Sequence, residues 1–195
     1  MSSWKTTVLS VGSDFKRATQ TGDWSKFLDK KNDPQCSQDE FKKLAQEFPE
    51  IKTVLEDSAN HHQGITDEFQ SVTDDLESGS ADKPTAIERV RAQSEKLKAE
   101  SIANIDASTE RVMALIEGLA EDQQKKAAEF WEALLYGFAF SWSEVMTQVE
   151  RIFEHVTEWT SQVWEQVRTS IKGSFTQVWA WLGGINWKNT TGRAT

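Results

Sequence analysis

The sequence predicts an all-α protein: an elongated antiparallel bundle of about three long amphipathic helices, plus a short N-terminal helical region. Apolar residues recur at spacings of three and four over long stretches, which is the period of a helix face and not of a strand. Only 3 prolines interrupt the 195 residues, so long helices are permitted. The tract 77–84, ESGSADKP, gathers turn-forming residues between two periodic segments and reads as the loop of a helical hairpin. A chain of this length can bury a substantial core within one domain.

Residues 1–36 form an N-terminal arm or short helices. Trp4, Val8, Val11 and Phe15 fit one amphipathic turn sequence, and Trp24, Phe27 and Leu28 fit another, with Thr21-Gly22-Asp23 between them. The arm is net basic and the following segment, 37–78, is strongly acidic. The arm therefore either packs beside that segment or stays solvated.

Residues 37–125 read as a heptad-patterned hairpin. Ser37 and Glu40 have the spacing of a capping box. From there Phe41, Leu44, Phe48, Ile51, Leu55, Ser58, His62, Ile65, Phe69, Val72 and Leu76 sustain a heptad seam that seeks a partner helix. Pro49 removes a backbone donor and predicts a kink or break after Phe48; Gly64 is a second weak point. The second helix runs from about Pro84 to Gln124, with Ile87, Val90, Leu97, Ile102, Ile105, Val112, Leu115, Ile116 and Leu119 on a drifting face whose spacing slips near Ser101.

Residues 126–184 read as one long Trp- and Phe-rich helix, bent if anywhere near Gly137 or Gly173, and stopped by Gly183-Gly184. Its apolar face carries Trp131, Leu135, Phe138, Trp142, Phe153, Trp159, Trp164, Phe175, Trp179 and Trp181. Within it, residues 133–143 are nearly apolar around the whole circumference, as suits a central buried helix or a point of membrane insertion. Residues 185–195 form a polar tail.

Charge and residue chemistry narrow the function. With 22 Lys+Arg against 31 Asp+Glu the formal net charge is -9, and no basic face is gathered to meet a nucleic-acid backbone. No nucleic-acid partner is expected. The single cysteine, Cys36, cannot form an internal disulfide and reads as a surface-loop thiol. No signal-peptide core and no apolar run of membrane-spanning length is evident, which favours a cytoplasmic location with peripheral membrane association. His61 and His62 are adjacent, so their side chains point about 100° apart on a helix; His62 falls in the seam as a core histidine. Metal-binding and phosphate-loop patterns are absent, and neither an enzyme nor a cofactor is expected.

The 9 tryptophans ask for an explanation. Buried, they are a large-residue bundle core. Exposed by opening of the hairpin, they are a lipid-contact face, since Trp and Phe on one side of a helix settle at the boundary between headgroups and acyl chains. Residues 127–187 hold seven Glu against Arg151, Arg168 and Lys172, which opposes strongly anionic membranes. Lipid or membrane association through this segment is the preferred function. The alternative is a helical scaffold or oligomerisation protein whose seams bind partner helices, including a second copy of itself.

Overall fold

The computed structural model describes residues 2–29, 38–78, 83–155 and 161–185. They form seven α-helices: α1 Ser3–Thr21, α2 Ser25–Asp29, α3 Gln38–Glu47, α4 Pro49–Ser78, α5 Lys83–Glu117, α6 Glu121–His155 and α7 Ser161–Ile185. The all-α, elongated antiparallel bundle is as the periodicity predicts, but there are seven helices where about three long ones were expected: the N-terminal region supplies α1 and α2, Pro49 divides α3 from α4, and the C-terminal segment forms both α6 and α7. At 1.5 Å per residue the 35-residue helices α5 and α6 are about 52 Å long.

Helix α1 buries Trp4, Val8, Val11, Phe15 and Ala18 on one face. It stops at Gly22, whose φ of 76° lies in the left-handed region that a side chain disfavours, and whose N–H closes on the Ala18 carbonyl at 2.8 Å. Asp23 then accepts hydrogen bonds from the Ser25 backbone N–H at 3.1 Å and the Ser25 hydroxyl at 2.6 Å, which starts α2 and holds the Asp23 carboxyl below its ordinary range. The N-terminal region is a full member of the core. Two of its lysines reach α5, with Lys5–Glu117 at 3.0 Å and Lys16–Asp106 at 2.7 Å, while Lys26 pairs within the region with Asp14 at 2.6 Å.

Pro49 breaks the first heptad segment where expected. The Phe48 N–H still bonds Leu44, at 2.8 Å, and Pro49 opens α4 at the first helical position, where its missing donor costs nothing. Ser37 lies outside the described residues, as do Cys36, Trp159 and the tail 186–195. Helices α4 and α5 form the antiparallel hairpin, with ion pairs Asp57–Arg111 at 3.1 Å, Glu68–Lys96 and Asp75–Arg89 along its flanks.

The second helix ends at Glu117 and not near Gln124. A turn at 118–120 follows, in which the Leu119 N–H donates to the Ile116 carbonyl at 3.0 Å, and the Gln124 side chain folds back to donate to the carbonyls of Ile116 and Leu119 at 3.3 and 3.4 Å. The C-terminal segment is two helices, α6 and α7, rather than one bent rod. Gly137 lies inside α6 and Gly173 inside α7. Gly183-Gly184 does not stop α7, which runs to Ile185.

Helix α6 is the axis of the molecule. It packs against α1, α4, α5 and α7, and against the short α2 and α3. Its circumferential apolarity thereby finds a partner on every side, which is what an all-round apolar helix requires. Residue pairs give the directions: Lys5–Glu117, Ser58–Asn104, Lys98–Glu150 and Glu144–Ser174 run antiparallel between successive long helices. Helices α1, α4 and α6 therefore point one way, and α5 and α7 the other.

Candidate functional site

The aromatic stripe is the natural candidate, and in the folded bundle it faces inward. Trp131, Leu135, Phe138 and Trp142 are at most 1% exposed, and Phe175 is also buried. Phe153, Trp179 and Trp181 are partly buried against the core. Trp164 lies in α7, but its side chain, like all of Trp159, is outside the described residues. Among the described residues only Leu9 and Leu28 are large exposed apolar side chains.

The stripe meets rings from elsewhere in the chain. Phe15 of α1 stacks on Phe138 with centroids 6.0 Å apart and meets Trp24 edge-on at 5.4 Å. Phe27 meets Tyr136 at 4.9 Å. Phe138 stacks on Trp142, which reaches Phe175 of α7 at 6.4 Å. A continuous aromatic column thus crosses from α2 through α1 and α6 to α7, built from offset and edge-to-face pairs that suit the ring quadrupoles. At one end of the α6–α7 contact, a Cβ on Gly137 would lie 2.5 Å from the Trp181 ring. The glycine is the socket that admits the indole.

His62 stands inside this column. Its ring lies 4.6 Å from Trp142, 5.0 Å from Phe138 and 6.2 Å from Phe15, centroid to centroid, and it has no exposed surface. Nδ1 donates to the Ser58 carbonyl at 2.8 Å, and Nε2 accepts from the Ser101 hydroxyl at 2.8 Å. This arrangement satisfies a neutral ring with one proton, on Nδ1. Burial, which penalises the charged form, holds the His62 pKa down to about 3, against the smaller opposing effect of the Ser58 bond. Ser101 occupies the position where the heptad of α5 slips, so the small residue makes room for the imidazole.

Three indole N–H groups do less well. Those of Trp24, Trp131 and Trp142 are buried without a hydrogen-bond partner. Trp179 by contrast donates to Gln63 of α4 at 2.8 Å. The Arg91 guanidinium lies over the Phe153 ring at 5.6 Å, covering that half-buried face.

Catalytic or metal-binding geometry is a separate matter. Among the described residues no group of three or more His, Cys, Asp or Glu is placed to hold a metal ion. Among the described residues, a shallow surface hollow of about 560 Å³ lies between α6 and α7 beside Glu144 and Ser174, and another of about 490 Å³ lies beside Glu50 and Arg111. Among the described residues no helix is long and apolar enough to cross a membrane.

Sequence reasoning singled out the stripe but not its partners. Phe15, Trp24 and Phe27 were visible as an apolar face with no known destination. Gly137 had the signal of a bend and is instead a contact. Comparison with known proteins finds no match to any family model, curated protein or solved structure.

Proposed function

We propose that the protein is a non-enzymatic, membrane-associating helical protein whose α6–α7 hairpin is sheltered in the closed bundle and delivers its aromatic residues to lipid when the bundle opens. The observation that carries this reading is the state of Trp131 and Trp142, fully buried on the central helix with indole N–H groups that have no acceptor. A dry core penalises each such donor by about 1–3 kcal/mol. At the headgroup boundary the same ring keeps its apolar surroundings while its N–H reaches water or an ester carbonyl. The closed form therefore holds these residues in surroundings less suited to them than a lipid interface.

Association requires opening, because the described surface of the closed form offers only Leu9 and Leu28 as large apolar contacts. The opened hairpin lies in the plane of the interface rather than across it, since neither of its helices has the length of apolar sequence that spanning demands. The excess of Glu over Arg and Lys in 127–187 selects neutral over anionic surfaces.

The test is co-flotation with phosphatidylcholine vesicles and with vesicles containing phosphatidylglycerol, at pH 7.4 and pH 5.0, using lipids brominated near the headgroup. Flotation with quenching of tryptophan emission, stronger on the neutral vesicles, is the expected result. Absence of both flotation and quenching at both pH values sinks the reading.

A further inference from the structure

The closed bundle must be opened by something, and the one titratable side chain at its centre has no other role in the proposed association. We propose that His62 is an acid trigger: a proton on Nε2 places an uncompensated charge inside the aromatic column and drives α4 and α5 apart from α6. The inference rests on the membrane-association reading, for which it supplies the regulation.

The geometry is specific. In the closed form Nε2 accepts the Ser101 hydroxyl proton, and that hydroxyl lies on the opposite helix of the hairpin. Protonated, Nε2 becomes a donor, so the Ser101 hydroxyl must rotate and lose its acceptor. The bond from Nδ1 to Ser58 survives unchanged, but it lies within α4 and does nothing to hold α4 to its neighbours.

Among the described residues the groups that touch the His62 ring from each element packed on it are uncharged. Helix α1 presents Phe15, α5 presents Ser101, and α6 presents Phe138 and Trp142, behind which lies Phe175 of α7. On α4 itself the neighbouring titratable ring is His61, whose centroid is 6.4 Å away and whose charge would add repulsion. Asp14 of α1, whose side chain is only 10% exposed, is engaged by Lys26 at 2.6 Å, and other charged groups of these helices are paired nearer the surface: Lys16 with Asp106, Lys98 with Glu150, Asp57 with Arg111. Glu144 of α6 accepts from Ser174 of α7. The aromatic faces offset part of a cationic charge, and no carboxylate among the groups touching the ring supplies the rest.

The sign of the pH dependence follows. The ring titrates near 6.5 in an opened chain and near 3 in the closed bundle. Closed-state stability from this group is thus complete above pH 6.5 and is lost progressively as pH falls toward 3. Well below pH 6.5 the closing equilibrium falls about tenfold per pH unit, which amounts to about fifteenfold between pH 6.5 and 5.0.

The experiment compares wild type with His62→Gln, and with His61→Gln as control, in urea unfolding at pH 7.5, 6.5, 5.5 and 5.0. Wild type and the control should lose about thirtyfold more in the folding constant between pH 7.5 and 5.0 than His62→Gln loses. Equal losses in all three overturn the trigger. Should His62→Gln not fold, ¹⁵N-histidine NMR of the wild type decides: a His62 ring that stays neutral, protonated on Nδ1, until the fold is lost supports the proposal. A His62 ring that titrates near 6.5 within the intact bundle overturns it. Flotation separates the two hypotheses. A His62-dependent stability loss without flotation at either pH keeps the trigger and removes membrane association; flotation equal at pH 7.4 and 5.0 and unchanged in His62→Gln keeps association and removes the trigger.

Discussion

The two hairpins of the bundle are built on different principles. In α4–α5 the seam is lined with small polar residues. Ser58 donates to Asn104 at 2.5 Å, His62 is tied to Ser101, and ion pairs line the edges. In α6–α7 the contact is bulk: Trp142 against Phe175, and Trp181 over Gly137, with the polar contact Ser174 to Glu144 at 3.3 Å beside them. Directional bonds set a register, because a slip leaves buried groups unpaired. Ring packing contributes area and tolerates displacement as long as the rings stay out of water. The first hairpin is thus suited to hold its shape, and the second to be transferred whole to another apolar environment.

This contrast can be broken from either side. The largest effect is expected from Phe138→Ala, which opens a cavity where α1, α4 and α6 meet; urea denaturation should show a loss of about 3–5 kcal/mol. Gly137→Ala should cost about 1–3 kcal/mol by forcing the Trp181 ring outward, and most of the loss should disappear in a Trp181→Leu background, as a double-mutant cycle would measure. Failure of that rescue would mean that the socket does not set the approach of α7. Ser101→Ala leaves the His62 Nε2 buried without a donor and should cost about 1–3 kcal/mol, whereas replacing both partners with apolar residues should cost less than the two single losses combined. The smallest effect is expected from Glu68→Gln, which removes a surface pair with Lys96: a loss below about 1 kcal/mol that fades in high salt.

Much of the bundle was legible in the residues. The helix period marked every long element, Pro49 announced the break that separates α3 from α4, and the all-round apolarity of 133–143 announced a central helix. Gly22 and the Asp23 turn were visible as the joint between α1 and α2. Less legible was the end of α5, where the apolar pattern of Ile116 and Leu119 continues past Gly118. The break after His155 carries no Gly or Pro, so periodicity alone carried the helix through it. The glycines at 137 and 173 illustrate the limit most clearly: a residue without a side chain has the same local signature in a bend, in a socket or on an open face. Only the position of Trp181 distinguishes the first of these from the second. The candidate site was legible as a stripe and illegible as a column, because Phe15 and His62 join it through tertiary contacts that no local spacing encodes.

The placement of α1 bears on how the chain is made. Its partners are remote in sequence: Lys5 meets Glu117 across 112 residues and Lys16 meets Asp106 across 90. A ribosome adding about 5–20 residues per second leaves α1 waiting for roughly 5–20 s before α5 has emerged, and longer for α6. Throughout that interval Trp4, Val8 and Val11 lack the surfaces of α5 and α6, and Phe15 has the neighbouring rings of Trp24 and Phe27 for company. Burial of this face therefore waits on the synthesis of the central helix.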